Sequence, residues 1–376
     1  MEISAIYLCP VRGVAALDPP ETDRLEQAAR AARDLGLRRL LIPVLEESLL
    51  GATRETVRFL DGLVAALDRL TDASVDAWMV APAQNILGIY WVPPYLVSPT
   101  PDISERPVFV EGKLRNLRPY KWWADPSLAQ KRLKVFHELV IAVNEHPALK
   151  GWIVMDRELE WSRPDVEAAD LLLRSYLGEI RDHNESSKIY LGLGWHALLE
   201  PGSATDLAPF VDGIKINGLD ERPKGLRLPD QQLGEILLGA YVGSLGQWLL
   251  ESPVELVISW RLTSEEIDWD RVLELVPDLF SGRGISGVIW PTLIDPEPSL
   301  FDSPPWSLGP KFKGISLLNS GVEPKDHVEA LLKGFQSCTP EERKLDFIDI
   351  SREEYMEDPD THFKRLWNHL RESVDL

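Results

Sequence analysis

Cysteine is scarce in this chain: two in 376 residues, Cys9 and Cys338, far apart and in no metal or redox spacing. A disulfide framework is therefore not expected, which fits a reducing compartment. Positive charge is also short. Forty Lys and Arg stand against 60 Asp and Glu, a formal net charge of −20. That balance argues against nucleic acid, anionic membranes and polyphosphates as main partners. Neutral or cationic small molecules and oligosaccharides stay open. The opening Met-Glu-Ile-Ser-Ala-Ile-Tyr-Leu reads as a strand, without the basic region, apolar core and cleavage site of a signal peptide, and no apolar stretch reads as a membrane span. The expected setting is cytoplasmic.

Several motifs are missing too. No Gly-x-Gly-x-x-Gly follows the first strand, so a dinucleotide fold has no anchor. There is no Walker loop, no Gly-x-Ser-x-Gly elbow and no His-Glu-x-x-His helix. The seven histidines are scattered. Neither a cofactor nor a metal site is expected.

What the chain does have is alternation. Apolar runs at 3–9, 39–45, 75–81, 151–156, 188–194, 213–217, 255–260 and 287–292 read as strands. Helical patterns lie between or after them at 21–35, 54–70, 127–144, 165–182, 230–250, 264–280 and 324–335. The slot between the fifth and sixth strands holds only a short turn at 206–210. Eight strands alternating with helices in a chain of this length predict a (β/α)8 TIM barrel. Long loops follow the third strand (82–125) and the eighth (291–323), on the side where barrel enzymes build their sites. Residues 1–337 are expected to form the barrel. Residues 338–376 read as a charged helical extension packed on it, with Phe363, Leu366, Trp367 and Leu370 on one helix face.

The fourth strand carries the most informative stretch. Asp156, Glu158 and Glu160 are spaced by two, so in an extended chain all three point the same way. Barrel packing uses Val, Ile and Leu, whereas paired carboxylates suit glycoside cleavage: one protonates the leaving oxygen, the other attacks or activates water. The competing reading is that they pair with Arg157, Arg163 or Lys215 and close the mouth. Strand alternation also sends His196, Lys215, Asn217 and Arg261 toward the mouth. Asp220, Glu221 and Asp295 are candidates for a second carboxylate. Lys215 at a strand end also fits a Schiff-base lyase.

Asp125-Pro126, a long helix ending at Asn144-Glu145, then His146-Pro147-Ala148-Leu149 and Gly151-Trp152, resembles the approach to the fourth strand in clan A glycoside hydrolases (cellulase-like and β-galactosidase-like barrels). The resemblance is architectural throughout and locally specific from about Trp123 to Trp161. In that clan the fourth strand ends in Asn-Glu, the Glu being the acid/base. Here those positions read Asp156-Arg157, and Glu158 follows. The clan's second-strand Arg is replaced in Leu41-Ile42-Pro43, and its seventh-strand nucleophile is absent from Val257-Ile258-Ser259-Trp260-Arg261. Trp290 matches its sugar-stacking tryptophan.

Thirteen tryptophans are many, and aromatic faces stack on sugar rings. Trp91, Trp122, Trp123, Trp260 and Trp290 at or beyond strand ends are read as ligand contacts. The resulting expectation is a glycoside hydrolase-like barrel with Glu158 as acid/base, assisted by Glu160 or Asp156. The alternatives are a catalytically inactive relative that binds a glycan or protein partner, and the lyase using Lys215.

Overall fold

A computed structural model of the chain describes residues 1–8, 21–51, 53–101, 107–217, 223, 225–228, 231–258, 268–302, 306–308, 314–341 and 345–374. The barrel strands are β1 (Glu2–Ile6), β2 (Arg39–Leu45) and β3 (Asp76–Ala83), followed after an excursion by five more. The excursion holds β4 (Asn85–Ile86), β5 (Ile89–Trp91), β6 (Val97–Pro101), β7 (Pro107–Val110) and β8 (Lys113–Pro119). The barrel resumes with β9 (Leu149–Val154), β10 (Lys188–Gly194), β11 (Gly213–Asn217), β12 (Val254–Val257) and β13 (Ile285–Trp290). These eight strands, all parallel, close in the order β1-β2-β3-β9-β10-β11-β12-β13. The TIM barrel expected from the alternation is the fold.

Strands buried on both faces become runs of apolar residues, and β2 is buried at every position. Successive side chains alternate between two cores. Leu41, Trp78, Val80, Ile153, Val257 and Ile289 fill the barrel interior. Leu40, Ile42, Met79, Trp152, Leu256 and Val288 point outward under the helices. At the N-terminal end, Arg39 bonds both oxygens of Glu255, at 3.1 and 2.5 Å, and closes the interior with a buried ion pair.

The jacket comprises α1 (Thr22–Asp34), α2 (Thr53–Ala73), α3 (Pro126–Val143), a one-turn α4 (Glu158–Trp161), α5 (Val166–His183), α6 (Gly202–Leu207), α7 (Gln231–Leu250), α8 (Trp269–Phe280) and α9 (Val328–Ser337). Local chemistry sets several starts. The Asp125 carboxylate accepts from the Ser127 N–H with Pro126 at the first position, Asp165 caps through Ala168, and Asp268 through Arg271.

Two elements differ from the sequence expectation. The loop after β3 is a five-stranded sheet in the order β4-β5-β7-β8-β6. Its hairpins turn at Leu87-Gly88 and Glu111-Gly112, all four with positive φ, as tight turns between antiparallel strands require. Secondly, α7 is long and apolar enough to cross a membrane by length and composition, over Leu233–Leu250. In this fold 78% of that window is buried, because α7 lies between the barrel and the C-terminal helices α10 (Arg352–Glu357) and α11 (Pro359–Ser373). A helix covered on both sides is apolar all round. Phe363, Leu366, Trp367 and Leu370 of α11 are buried, and the Tyr241 hydroxyl of α7 donates to the Phe363 carbonyl at 2.5 Å.

Candidate functional site

The run from Asp156 to Glu160 does not stay extended. β9 ends at Val154, and the backbone turns through positive φ at Met155 (52°) and Arg157 (61°) into α4. Two left-handed residues break the period of two, so the three carboxylates go to three different places. The shared face expected from their spacing is not formed.

Glu158 points into a buried polar cluster. Its Oε1 accepts from Trp122 Nε1 at 2.9 Å, from Arg132 at 3.1 Å and from the Ser162 hydroxyl. Its Oε2 accepts from Arg132 at 2.9 Å and from the Gln84 amide. A carboxylate has about four lone-pair sites, and these five donors fill them. Arg132 also gives its Nε to Glu46 at 3.2 Å, and the Tyr95 hydroxyl donates to the other Glu46 oxygen. Glu46, Arg132 and Glu158 are each 2% exposed or less. Burial disfavours the charged Glu158, but the adjacent Arg132 guanidinium and the bonds from Arg132, Ser162 and Trp122 prevail and hold its carboxyl below the ordinary value.

Glu160 turns toward strand β10. Arg157 holds its Oε2 through two nitrogens, at 3.0 and 2.9 Å. The carboxylate lies over Gly194, where a Cβ would come 1.9 Å from Oε1. Gly192 performs the same service for Asp156, since a Cβ there would lie 2.6 Å from the Asp156 Cα. Two glycines on one face of β10 thus make room for two carboxylates from the preceding turn.

Asp156 alone of the three faces the barrel mouth. It lines a pocket with Lys215, Asn217, Asn85 and apolar side chains from the C-terminal ends of β1, β2, β3 and β12. Lys215 Nζ donates to Asp156 Oδ1 at 2.7 Å, and both side chains are buried. Asp156 Oδ2 is buried and makes no hydrogen bond with any described residue. The same holds for Asn85 Nδ2, whose amide is oriented by its Oδ1 accepting from the Gly88 N–H at 3.0 Å. The residues lining the pocket therefore include one unpaired acceptor and one unpaired donor, both atoms themselves buried.

Three of the candidate tryptophans take packing positions. Trp91, Trp122 and Trp290 are 2%, 2% and 0% exposed, so none offers a face to a ligand. Strand alternation sends Ile289 inward and Trp290 outward into the helix layer, where its indole N–H donates to the Ile315 carbonyl. Trp91 rests on Phe109, with ring centroids 4.0 Å apart, and pins the excursion sheet to the barrel interior. Trp123 is half-buried, edge-on to Trp122. His196 begins the turn after β10, its ring against Trp195 with centroids 3.8 Å apart. Asp295 pairs with Lys325 at 2.7 Å. Trp260, Arg261, Ser259, Asp220, Glu221 and Cys9 lie outside the described residues.

Sequence reasoning brought Asp156, Lys215 and Asn217 to one pocket but missed Asn85, Glu46, Gln84 and Arg132. One signal was readable. Arg132 sits on the apolar stripe of α3, in step with Leu128, Val135, Phe136 and Leu139, where a charge needs a buried partner. Away from the mouth, the fold also gathers two of the scattered histidines, His137 and His183, with Glu179.

No protein-family model matches the sequence, and no curated protein matches it. Solved structures do. The chain is similar to GH5_18 from Streptomyces cattleya in complex with GlcNAc, with TM-score 0.66 and 14% identity over 92% of this chain and 82% of that one. A variant of that protein bound to Manβ1-4GlcNAc gives TM-score 0.68 at 14% identity, over 89% and 80%. The β-galactosidase from the psychrophilic Marinomonas ef1 gives TM-score 0.61 at 12% identity, over 95% of this chain and 62% of that one. At such identities the likeness establishes architecture alone: this chain has the (β/α)8 barrel that those structures share.

Proposed function

We propose that this glycoside-hydrolase-like barrel binds a sugar or related polyol in its mouth pocket and leaves the glycosidic bond intact. The observation that carries the reading is the pair of buried, unpaired polar atoms, Asp156 Oδ2 and Asn85 Nδ2, on residues that line the pocket together with Lys215. A hydroxyl donates one hydrogen bond and accepts others, so a sugar hydroxyl has the chemistry to pair with an unpaired carboxylate oxygen or an unpaired amide N–H. The remaining wall is apolar, as in most small-molecule sites. The chain's net charge of −20 disfavours an anionic ligand. The binding of GlcNAc and Manβ1-4GlcNAc by structural neighbours supports the same ligand class.

Cleavage would need two carboxyl groups about 5–9.5 Å apart across the bond, one of them able to carry a proton. Glu158 is ill suited to be that acid: its oxygens are taken by five donors and Arg132 favours the ionised form. Among the described residues lining the pocket, Asp156 is the one carboxylate. A lyase reading has less support, because attack on a carbonyl needs a free amine and Lys215 donates to Asp156 at 2.7 Å.

The test is calorimetric titration of the full chain with GlcNAc, mannose and Manβ1-4GlcNAc. Asp156→Asn, and Asp156→Asn combined with Lys215→Met so that neither charge is stranded, should weaken binding about 10- to 100-fold. Affinity equal to wild type in both variants would overturn the assignment of the pocket.

A further inference from the structure

We infer that the outer face of the barrel carries a binding site for a zinc-class divalent cation, formed by His137, Glu179 and His183. The three come from two adjacent jacket helices. His137 lies on α3, and Glu179 and His183 lie four residues apart on α5, one turn along the same face. One nitrogen or oxygen from each lies within 4.8 Å of the others. His137 Nδ1 is 2.6 Å from Glu179 Oε2, and the His137 and His183 rings are tilted at 56° with centroids 6.3 Å apart.

Two imidazoles and a carboxylate are the donor set of three-ligand zinc sites, with water in the fourth position. Metal–ligand bonds of about 2.0–2.2 Å place tetrahedral donors roughly 3.3 Å from one another. Reaching that spacing requires the close His137–Glu179 contact to open and the wider separations to contract. His137 and Glu179 remain 45% and 33% exposed, so side-chain rotation suffices and the helices need not move. Imidazole selects zinc, copper and nickel over magnesium and calcium, which prefer oxygen donors alone. The site lies on the outside of the barrel, so its effect is to clip α3 to α5. α3 also carries Arg132, the cation that holds Glu46 and Glu158. A bound ion would thereby steady the helix behind the mouth.

The experiment uses the full chain, freed of any affinity tag and stripped with chelator, titrated with zinc chloride by calorimetry and with cobalt chloride by visible absorption. The expected result is one ion per chain, a dissociation constant on the order of micromolar, and the intense visible bands of tetrahedral or five-coordinate cobalt. His137→Ala with His183→Ala should weaken binding about 100-fold. Because both positions are at the surface, circular dichroism should match wild type. Thermal scans should show zinc raising the Tm of the wild type and leaving that of the double variant unchanged. Failure of the wild type to bind stoichiometrically, or equal binding by the folded double variant, would overturn the assignment.

Discussion

Arg132 grips Glu158 with both terminal guanidinium nitrogens, at 3.1 and 2.9 Å, while its Nε bonds Glu46 at 3.2 Å. One buried cation thus ties the turn after β2, the helix α3 and the exit of β9 into a single unit. A carboxylate held this way is part of the scaffold. Glu158, the acid singled out by sequence, is bonded into that unit, and Asp156 is the one carboxylate among the described residues lining the pocket.

Breaking that unit should cost stability and leave the pocket intact. Arg132→Met strands two buried carboxylates, an expected loss of about 3–5 kcal/mol in urea denaturation. Glu158→Gln keeps the shape and much of the bonding, and should cost about 1–3 kcal/mol. Sugar affinity in Glu158→Gln should stay within about twofold of wild type. A Glu158→Gln protein of unchanged stability that lost a measurable hydrolytic activity would restore Glu158 as a catalytic acid.

Two carboxylates near β2 and β9 give opposite pH dependences. The Glu158 pKa is lowered in the fold, so its contribution is present above the ordinary 4.5 and is lost as pH falls through the folded value. Glu47 is pushed up to about 7, first by burial and further by the nearby Glu111 and Glu46 carboxylates, against a backbone hydrogen bond that lowers it. A raised carboxyl contributes stability below 4.5 that is lost as pH rises toward 7. Glu47→Gln should therefore flatten the stability profile between pH 4.5 and 7, measured by urea midpoints. An unchanged slope there would remove Glu47 from the account.

Trp290→Ala is expected to act on the fold and not selectively on the ligand. Truncating a fully buried tryptophan in the helix layer should cost about 3–5 kcal/mol. Affinity measured under conditions where the variant remains folded should match wild type. Selective loss of sugar binding would mean that Trp290 reaches the ligand after all.

Lys215 should not form an imine. Incubation with pyruvate or glyceraldehyde and cyanoborohydride, followed by peptide mass mapping, should leave Lys215 unmodified. A stoichiometric adduct on Lys215 would revive the lyase.

The barrel was legible because its signal repeats: eight buried strands and their helices each carry a period, and β2, β10 and β11 begin and end where the apolar pattern does. The site was legible only in part. Strand parity correctly sent Lys215 and Asn217 to the mouth, since β11 keeps its pleat to its end. The same parity failed one residue past β9, where Met155 and Arg157 take left-handed backbone conformations that no local glycine announces. Position at a strand end did not make Trp91, Trp122 or Trp290 exposed, because a side chain there packs as readily inward as outward. Arg132 with Glu46 and Asn85 with Asp156 are encounters between segments far apart in sequence, and such pairings leave no local pattern.

The most direct test of the central claim is a proton NMR experiment on Manβ1-4GlcNAc with the full chain, reading saturation transfer and the anomeric region together. Binding without cleavage predicts transfer to the disaccharide in the wild type, its loss in Asp156→Asn/Lys215→Met, and anomeric integrals that do not change on prolonged incubation. Growth of free mannose signals in the wild type would contradict the account and identify a working hydrolase.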